Sequence, residues 1–121
     1  MNKTPIDAEI FAELLALQEA THPTLIQELV ELFITTSVQS LESMDKLLKT
    51  GDMAQLSEVA HGMKSSAANL GASELSQLCF TLEQQGELPA PTTDVHRLVK
   101  EIKAAYVIAE RALKLQIKLA A

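Results

Sequence analysis

Residues 53–72 read MAQLSEVAHGMKSSAANLGA, and this stretch decides the fold. Asp52 and Gln55 form a capping box at its start. Leu70-Gly71 closes it, with Gly71 suited to the left-handed position just past a helix end. The predicted element is a helix over roughly 53–69. On a wheel of about 100° per residue with Leu56 at zero, Val59, Ala60, Met63, Ala67 and Leu70 fall within about 60°. That stripe is the buried face. His61 falls at about 140° and faces outward. Ser57 and Ser65 lie one turn either side of it on the same face, Ala68 lies beyond, and Lys64 stands at i+3.

The rest of the chain supplies matching helices. Thr4-Pro5-Ile6-Asp7 offers a cap, a proline at the first helical position and an acid three residues after the cap, which starts a helix over roughly 5–19. A start at Asp7 fits equally well. Ile10, Leu14 and Leu17 form its apolar line. Thr21-His22-Pro23 breaks the chain before a long helix over roughly 23–49, in which Ile26, Leu29, Val30, Phe33, Leu41, Met44 and Leu48 recur at helical spacing. Gly51-Asp52 ends it. Ser73 is the expected cap of a fourth helix over roughly 74–85, with Leu75, Leu78, Cys79 and Leu82 inward. GELPAPTT (86–93) is the one clear loop, and a fifth helix over roughly 94–119 buries Val95, Leu98, Val99, Ile102, Tyr106, Ala109 and Leu113. No strand pattern or internal repeat competes. The expected fold is all-α: an antiparallel four-helix bundle with a short additional N-terminal helix, in one domain spanning 1–121.

Composition agrees and narrows the function. Hydrophobic residues make up 47% and aromatics 3%, so aliphatic side chains must build the core. The net charge is −6 and the basic residues form no block, which argues against binding DNA or RNA. No apolar run is long enough for a membrane span. The first residues carry acids and no apolar core, unlike a secretory signal. The lone Cys79 cannot form an internal disulfide. A cytoplasmic protein is expected.

The His61 face has a chemical reading. An exposed imidazole flanked by small side chains can be approached closely by another protein. A neutral imidazole is a nucleophile. A phosphoryl group on the ring carries close to two negative charges, which Lys64 would partly offset while serine hydroxyls donate hydrogen bonds. Most exposed helical histidines do nothing, so spacing alone does not decide the matter.

The motif does more. AHGMKSSAANLGA (60–72) resembles the signature of histidine phosphotransfer (HPt) domains, approximately A-H-x-[LM]-K-G-[SA]-[SA]-x-N-[LFM]-G-[AL]. His61, Lys64, Ser66, Asn69, Leu70 and Gly71 match. The run Leu75-Ser76-Gln77-Leu78-Cys79 with Leu82-Glu83 is similar to the family's fourth helix. Two positions depart: Ser65 and Ala68 stand where the family commonly has glycine, which bears on partner preference or rate. The resemblance implies a phosphorelay intermediate. His61 accepts a phosphoryl group on Nε2 from a receiver-domain aspartate of a hybrid sensor kinase and passes it to a response-regulator aspartate. It also implies no ATP binding and no autokinase activity, consistent with the absence of a Walker-type glycine-rich loop. No cofactor is expected on this chain. Mg²⁺ is expected in the partner receiver.

Further roles follow as expectations. Lys64 and Ser65 serve the transferring group. Glu83 orients Nδ1 if the fourth helix packs beside the third. Ser66, Asn69 and Gly71 support the helix and its end. Receiver docking is expected around Ser57 and Ala68, with Leu25 and Leu32 and the first-helix residues Ile10, Phe11 or Leu14; the alternative is that Leu25 and Leu32 pack under the first helix. His22 and His96 read as surface residues, Cys79 as core, and Lys114 and Lys118 as partners of a helix dipole. The chain is expected to be a monomer without nucleic-acid or membrane partners. Glu58-Val59-Ala60-His61 is a Glu-x-x-His, as in di-iron bundles, but only one copy is present and it faces outward. A docking bundle without chemistry is the other rival.

Overall fold

The computed structural model describes residues 5–120, with side chains described as far as Lys118. The elements are α1 (Ala8–Thr21), α2 (Leu25–Thr50), α3 (Met53–Asn69), α4 (Ser73–Glu83) and α5 (Thr93–Ala120). Among the described residues all regular structure is helical. α3 packs between α2 and α4, and α5 closes the ring against α4 and α2. α1 packs on α2 as a cover.

Local chemistry sets the helix ends. Asp7, not Thr4-Pro5, begins α1: its carboxylate accepts from the amides of Glu9 (2.9 Å) and Ile10 (3.2 Å). Thr4 lies outside the described residues, and Pro5 precedes the helix. Asp7 wins because its own N–H donates to the Gly71 carbonyl at 2.7 Å, anchoring the start of α1 to the α3–α4 corner. The Gln18 amide oxygen accepts from the Ile26 N–H at 2.9 Å and joins α1 to α2. Asp52 caps α3 by accepting from the Gln55 amide at 3.0 Å.

The end of α3 is a Schellman turn. Ala72 N–H donates to the Ala67 carbonyl (2.9 Å), Gly71 N–H to the Ala68 carbonyl (3.0 Å), and Gly71 sits at φ +80°. This turn fixes Ala72 as the residue before α4. Ser73 is therefore the first helical residue and not the cap expected of it. At α5 the Thr92 hydroxyl accepts from the Val95 amide at 3.2 Å.

The core follows the predicted stripes with specific exceptions. Leu56, Ala60, Met63 and Ala67 of α3 and Leu70 at its end are buried with Leu75, Cys79 and Leu82 of α4 and Val95, Val99, Ile102, Tyr106, Ala109 and Leu113 of α5. Burying each of the larger aliphatics contributes roughly 1.5–3 kcal/mol. Val59, Leu78 and Leu98 are only partly buried at the core's edge. In α1 the buried residue is Phe11; Ile10 and Leu14 are half-buried and Leu17 is exposed. The predicted line was displaced because α1 meets the bundle with its Phe11 side. α2 buries Ile26, Val30, Phe33 and Met44, and also Ser37, whose hydroxyl has no hydrogen-bond partner among the described residues. Phe33 packs on Tyr106 with ring centroids 5.8 Å apart. Burial, then the Glu110 carboxylate that accepts from its hydroxyl, holds the Tyr106 phenol above its usual range. Cys79 is fully buried, and burial pushes its thiol up to about 12, so it stays protonated.

Candidate functional site

His61 stands in the middle of α3 with its side chain 61% exposed. The buried stripe of Leu56, Ala60 and Met63 fixes the opposite face of the helix, so the ring must point to solvent. α4 runs antiparallel beside α3 and brings Glu83 to the ring: Oε2 lies 2.7 Å from Nδ1 of His61. The other carboxylate oxygen, Oε1, accepts from Lys64 Nζ at 2.6 Å. One carboxylate therefore ties together the histidine and the lysine one turn further along α3.

The charge state of Glu83 determines the tautomer. The hydrogen bond from Lys64 lowers its pKa most; burial partly opposes this, and the hydrogen bond from His61 lowers it further. An ionised carboxylate only accepts, so Nδ1 must carry the proton. In the neutral ring the lone pair is then on Nε2, which makes no hydrogen bond to a described residue. Nδ1 is held by Glu83 while Nε2 is open to an incoming group.

The surroundings lock this pair in place. The Ser57 hydroxyl donates to the Glu83 carbonyl at 2.6 Å, and the Ser76 hydroxyl donates to the Lys64 carbonyl at 3.1 Å. Lys64 Nζ lies 5.3 Å from the centroid of the Phe80 ring, within cation–π range. Gly86 passes so close to Ser57 that a Cβ there would sit 2.8 Å from the serine Cβ.

Several expected residues take other roles. Ser57 is half-buried and its hydroxyl is committed to the Glu83 carbonyl on α4. The Ser65 hydroxyl donates to the His61 carbonyl at 3.3 Å, away from the ring, leaving Ser65 as a small flanking residue. Ser66 likewise donates to the Gly62 carbonyl at 3.2 Å. Asn69 is exposed and makes no side-chain hydrogen bond to a described residue, so the Schellman turn and not Asn69 satisfies the helix end. Ala68 is exposed beside His61. Leu25 is half-buried, whereas Leu32 is 61% exposed and is not packed under α1. Phe11 is buried and unavailable to a partner. Glu58 of the Glu-x-x-His is exposed, and no group of three or more potential metal ligands occurs among the described residues.

Leu32 opens onto a shallow groove of about 140 Å³ between α2 and α3, lined also by Leu29, Phe33, Ser66, Asn69 and Leu70. The sequence reading missed Ser76 and Phe80. Ser76, Phe80 and Glu83 recur at i, i+4 and i+7, a second stripe on α4 that faces the His61–Lys64 side of α3. That spacing was the available signal.

A family model for the Hpt domain matches residues 28–107. This chain belongs to the Hpt domain family. Among curated relatives it is 31% identical over 81 residues to "Phosphorelay intermediate protein YPD1" of Candida albicans, covering 67% of this chain and 44% of that protein. It is 30% identical over 78 residues to "Histidine-containing phosphotransfer protein 4" of Arabidopsis thaliana, covering 63% of this chain and 61% of that protein. The Hpt chain thus spans about half the length of these relatives. The crystal structure of histidine-containing phosphotransfer protein B (HptB) from Pseudomonas aeruginosa PAO1 matches with TM-score 0.82 at 23% identity, covering 95% of this chain and 96% of that one. That match shows the shared fold. No described helix is long and apolar enough to cross a membrane.

Proposed function

We propose that this Hpt domain is a phosphorelay intermediate that carries a phosphoryl group on Nε2 of His61. The observation that supports this best is the exposed ring whose Nδ1 is held at 2.7 Å by Glu83. The donor is a phosphoaspartate on the receiver domain of a hybrid sensor kinase. The Nε2 lone pair attacks phosphorus, the P–O bond to the aspartyl carboxylate breaks, and a P–Nε2 bond forms. The receiver recovers its carboxylate. The ring keeps its Nδ1 proton and gains positive charge, which Glu83 balances. The reverse step delivers the group to an aspartate of a response regulator.

The two receivers supply the reacting carboxylates and the Mg²⁺ that offsets charge in a loose transition state. This chain supplies position. Lys64 has three N–H donors and can hold Glu83 while reaching a phosphoryl oxygen. Ser65 and Ala68 leave the approach to the ring uncrowded. The chain acts as a carrier without ATP binding or autokinase activity.

The test is incubation with a radiolabelled phosphoaspartyl receiver domain. Label should move to this chain as an acid-labile, base-stable phosphohistidine, and His61→Gln should abolish it. Acceptance of label by the Gln variant would refute the site.

A further inference from the structure

The charge of this chain is divided along its length. Residues 5–45 hold eight acids and no lysine or arginine, while the rest of the chain holds eight acids and ten bases. The acidic segment is α1 and most of α2. Glu9, Glu13, Glu19, Glu28, Glu31 and Glu42 are exposed in it; Glu28 lies 2.9 Å from His22 Nε2, and none of the six pairs with a lysine or arginine among the described residues. Asp45, by contrast, is matched by Lys103 Nζ at 2.6 Å.

This acidic surface adjoins the Leu32 groove. With Leu32 at zero on α2, Glu28 lies about 40° away one turn earlier and Glu31 about 100° away, both on the side of Leu32 opposite Leu29, Phe33 and Thr36, so they border Leu32 on its outer flank. The floor of the groove ends at Leu70, next to Gly71, whose carbonyl accepts from Asp7 and so brings the start of α1 alongside. On the α3 side the groove begins at Ser66, about 7–8 Å along the helix axis from His61. A partner that covers both the ring and the exposed Leu32 therefore spans the groove and comes up against Glu28.

We infer that this surface selects its receiver by charge: the domain that docks here presents an apolar side chain to Leu32 flanked on one side by lysine or arginine that faces Glu28 and Glu31. This deepens the phosphotransfer reading and rests on it. A second copy of this chain is disfavoured as occupant, because the same carboxylates would face one another. Complementary charge acts chiefly on encounter rate and partner choice. Its range shrinks from about 10 Å at 0.1 M salt to about 3 Å at 1 M.

The experiment measures second-order phosphoryl transfer to the full chain from a panel of phosphorylated receiver domains whose net charges span positive to negative. Receivers with a basic docking face should transfer fastest, and their rate constants should fall about tenfold between 0.05 and 0.5 M NaCl. The double variant Glu28→Lys, Glu31→Lys should lose about tenfold at low salt and little at high salt, with Glu31→Gln intermediate. Glu74→Lys with Glu101→Lys, on the α4–α5 face, should leave the rates unchanged. If the native chain accepts label at His61 but the Glu28/Glu31 reversal leaves the rates unaltered or raises them, charge selection is refuted and the relay reading stands. If no receiver labels the native chain, both fall together.

Discussion

The corner where α3 turns into α4 should be among the positions least tolerant of a single added methyl group, and two glycines separate the reasons. Gly51 and Gly71 both adopt left-handed backbone, with φ of 77° and 80°. Alanine in that conformation costs roughly 1–2 kcal/mol. At Gly51 the nearest heavy atom to a new Cβ is Pro91 Cδ at 3.8 Å, an ordinary contact. At Gly71 the same Cβ meets Asp7 N and Asp7 O at 3.2 Å and Ile10 Cβ at 3.3 Å. Two of these atoms are backbone and cannot rotate away. The start of α1 must retreat, stretching the 2.7 Å bond from Asp7 N–H to the Gly71 carbonyl. Losing that bond adds about 0.5–1.5 kcal/mol. Alanine also restricts the unfolded chain, but equally at both sites, so this effect cancels in the comparison. The expectation is a loss of about 1–2 kcal/mol for Gly51→Ala and about 2–3 kcal/mol for Gly71→Ala. Urea denaturation followed by far-ultraviolet circular dichroism measures both, with unchanged m-values. Hydrogen exchange at the Asp7 amide should quicken in Gly71→Ala only. A Gly71→Ala loss equal to or smaller than that of Gly51→Ala would refute the packed corner.

Ser37→Ala should raise stability by about 1 kcal/mol, because it removes a buried hydroxyl without a partner; a lower urea midpoint in the variant would show that the hydroxyl is satisfied after all. The Glu83 carboxyl is held below its ordinary value of 4.5, chiefly by Lys64, so its stabilising contribution is complete above that value and is lost as pH falls through the folded-state pKa. Glu83→Gln should therefore show a shallower decline of urea midpoint with falling pH below about 4.5 than the native chain, and an identical decline would remove the carboxylate from the network. Gly86→Ala forces a Cβ to 2.8 Å from Ser57 Cβ. It should slow phosphoryl transfer and shift the His61 Nδ1–H resonance while leaving helix content intact; an unmoved resonance would count against the α3–α4 lock.

The sequence made the helices legible because their apolar spacing and their proline and glycine stops agree. It was least informative where two local signals were equivalent and a distant atom chose between them. Thr4-Pro5 and Asp7 both qualified as the start of α1, and the Gly71 carbonyl decided for Asp7. Ser73 is a good cap by composition, yet the Schellman turn placed Ala72 there. Ser37 was readable in hindsight: it lies on the α2 stripe of Val30, Phe33 and Met44, where a polar residue hides among apolar ones. His61 and its outward direction came from the wheel, and its chemistry from the motif. The bond of Glu83 to Nδ1 was anticipated only on condition that α4 packs beside α3. Ser57, Ser76, Phe80 and Gly86 depend on the register between those two helices, and register is a property of packed side chains that one helix's periodicity does not contain.

That register also separates two tasks on either side of one histidine. Measured around the axis of α3 from His61, Ser57 and Lys64 lie about 40–60° to one side, toward α4, whereas Asn69 and Ser66 lie about 80–140° to the other, toward α2. Ser65 and Ala68 occupy the strip between, where both side chains are small. On the α4 side Glu83, Ser57 and Ser76 bond across the seam above buried Leu56, Met63, Leu75 and Leu82, so ring orientation is tied to the rigid core. On the α2 side Leu32 lines its groove with Ser66, Asn69 and Leu70, none of which hydrogen-bonds the ring, and Glu28 lies beyond it. Substitutions at Glu83 or Gly86 should thus alter transfer with every receiver alike, because they move the reacting nitrogen. Substitutions at Glu28 or Glu31 should reorder receivers relative to one another, because they change which surfaces reach that nitrogen. A charge reversal on α2 that slowed all receivers by the same factor would show the two flanks to be coupled and not separate.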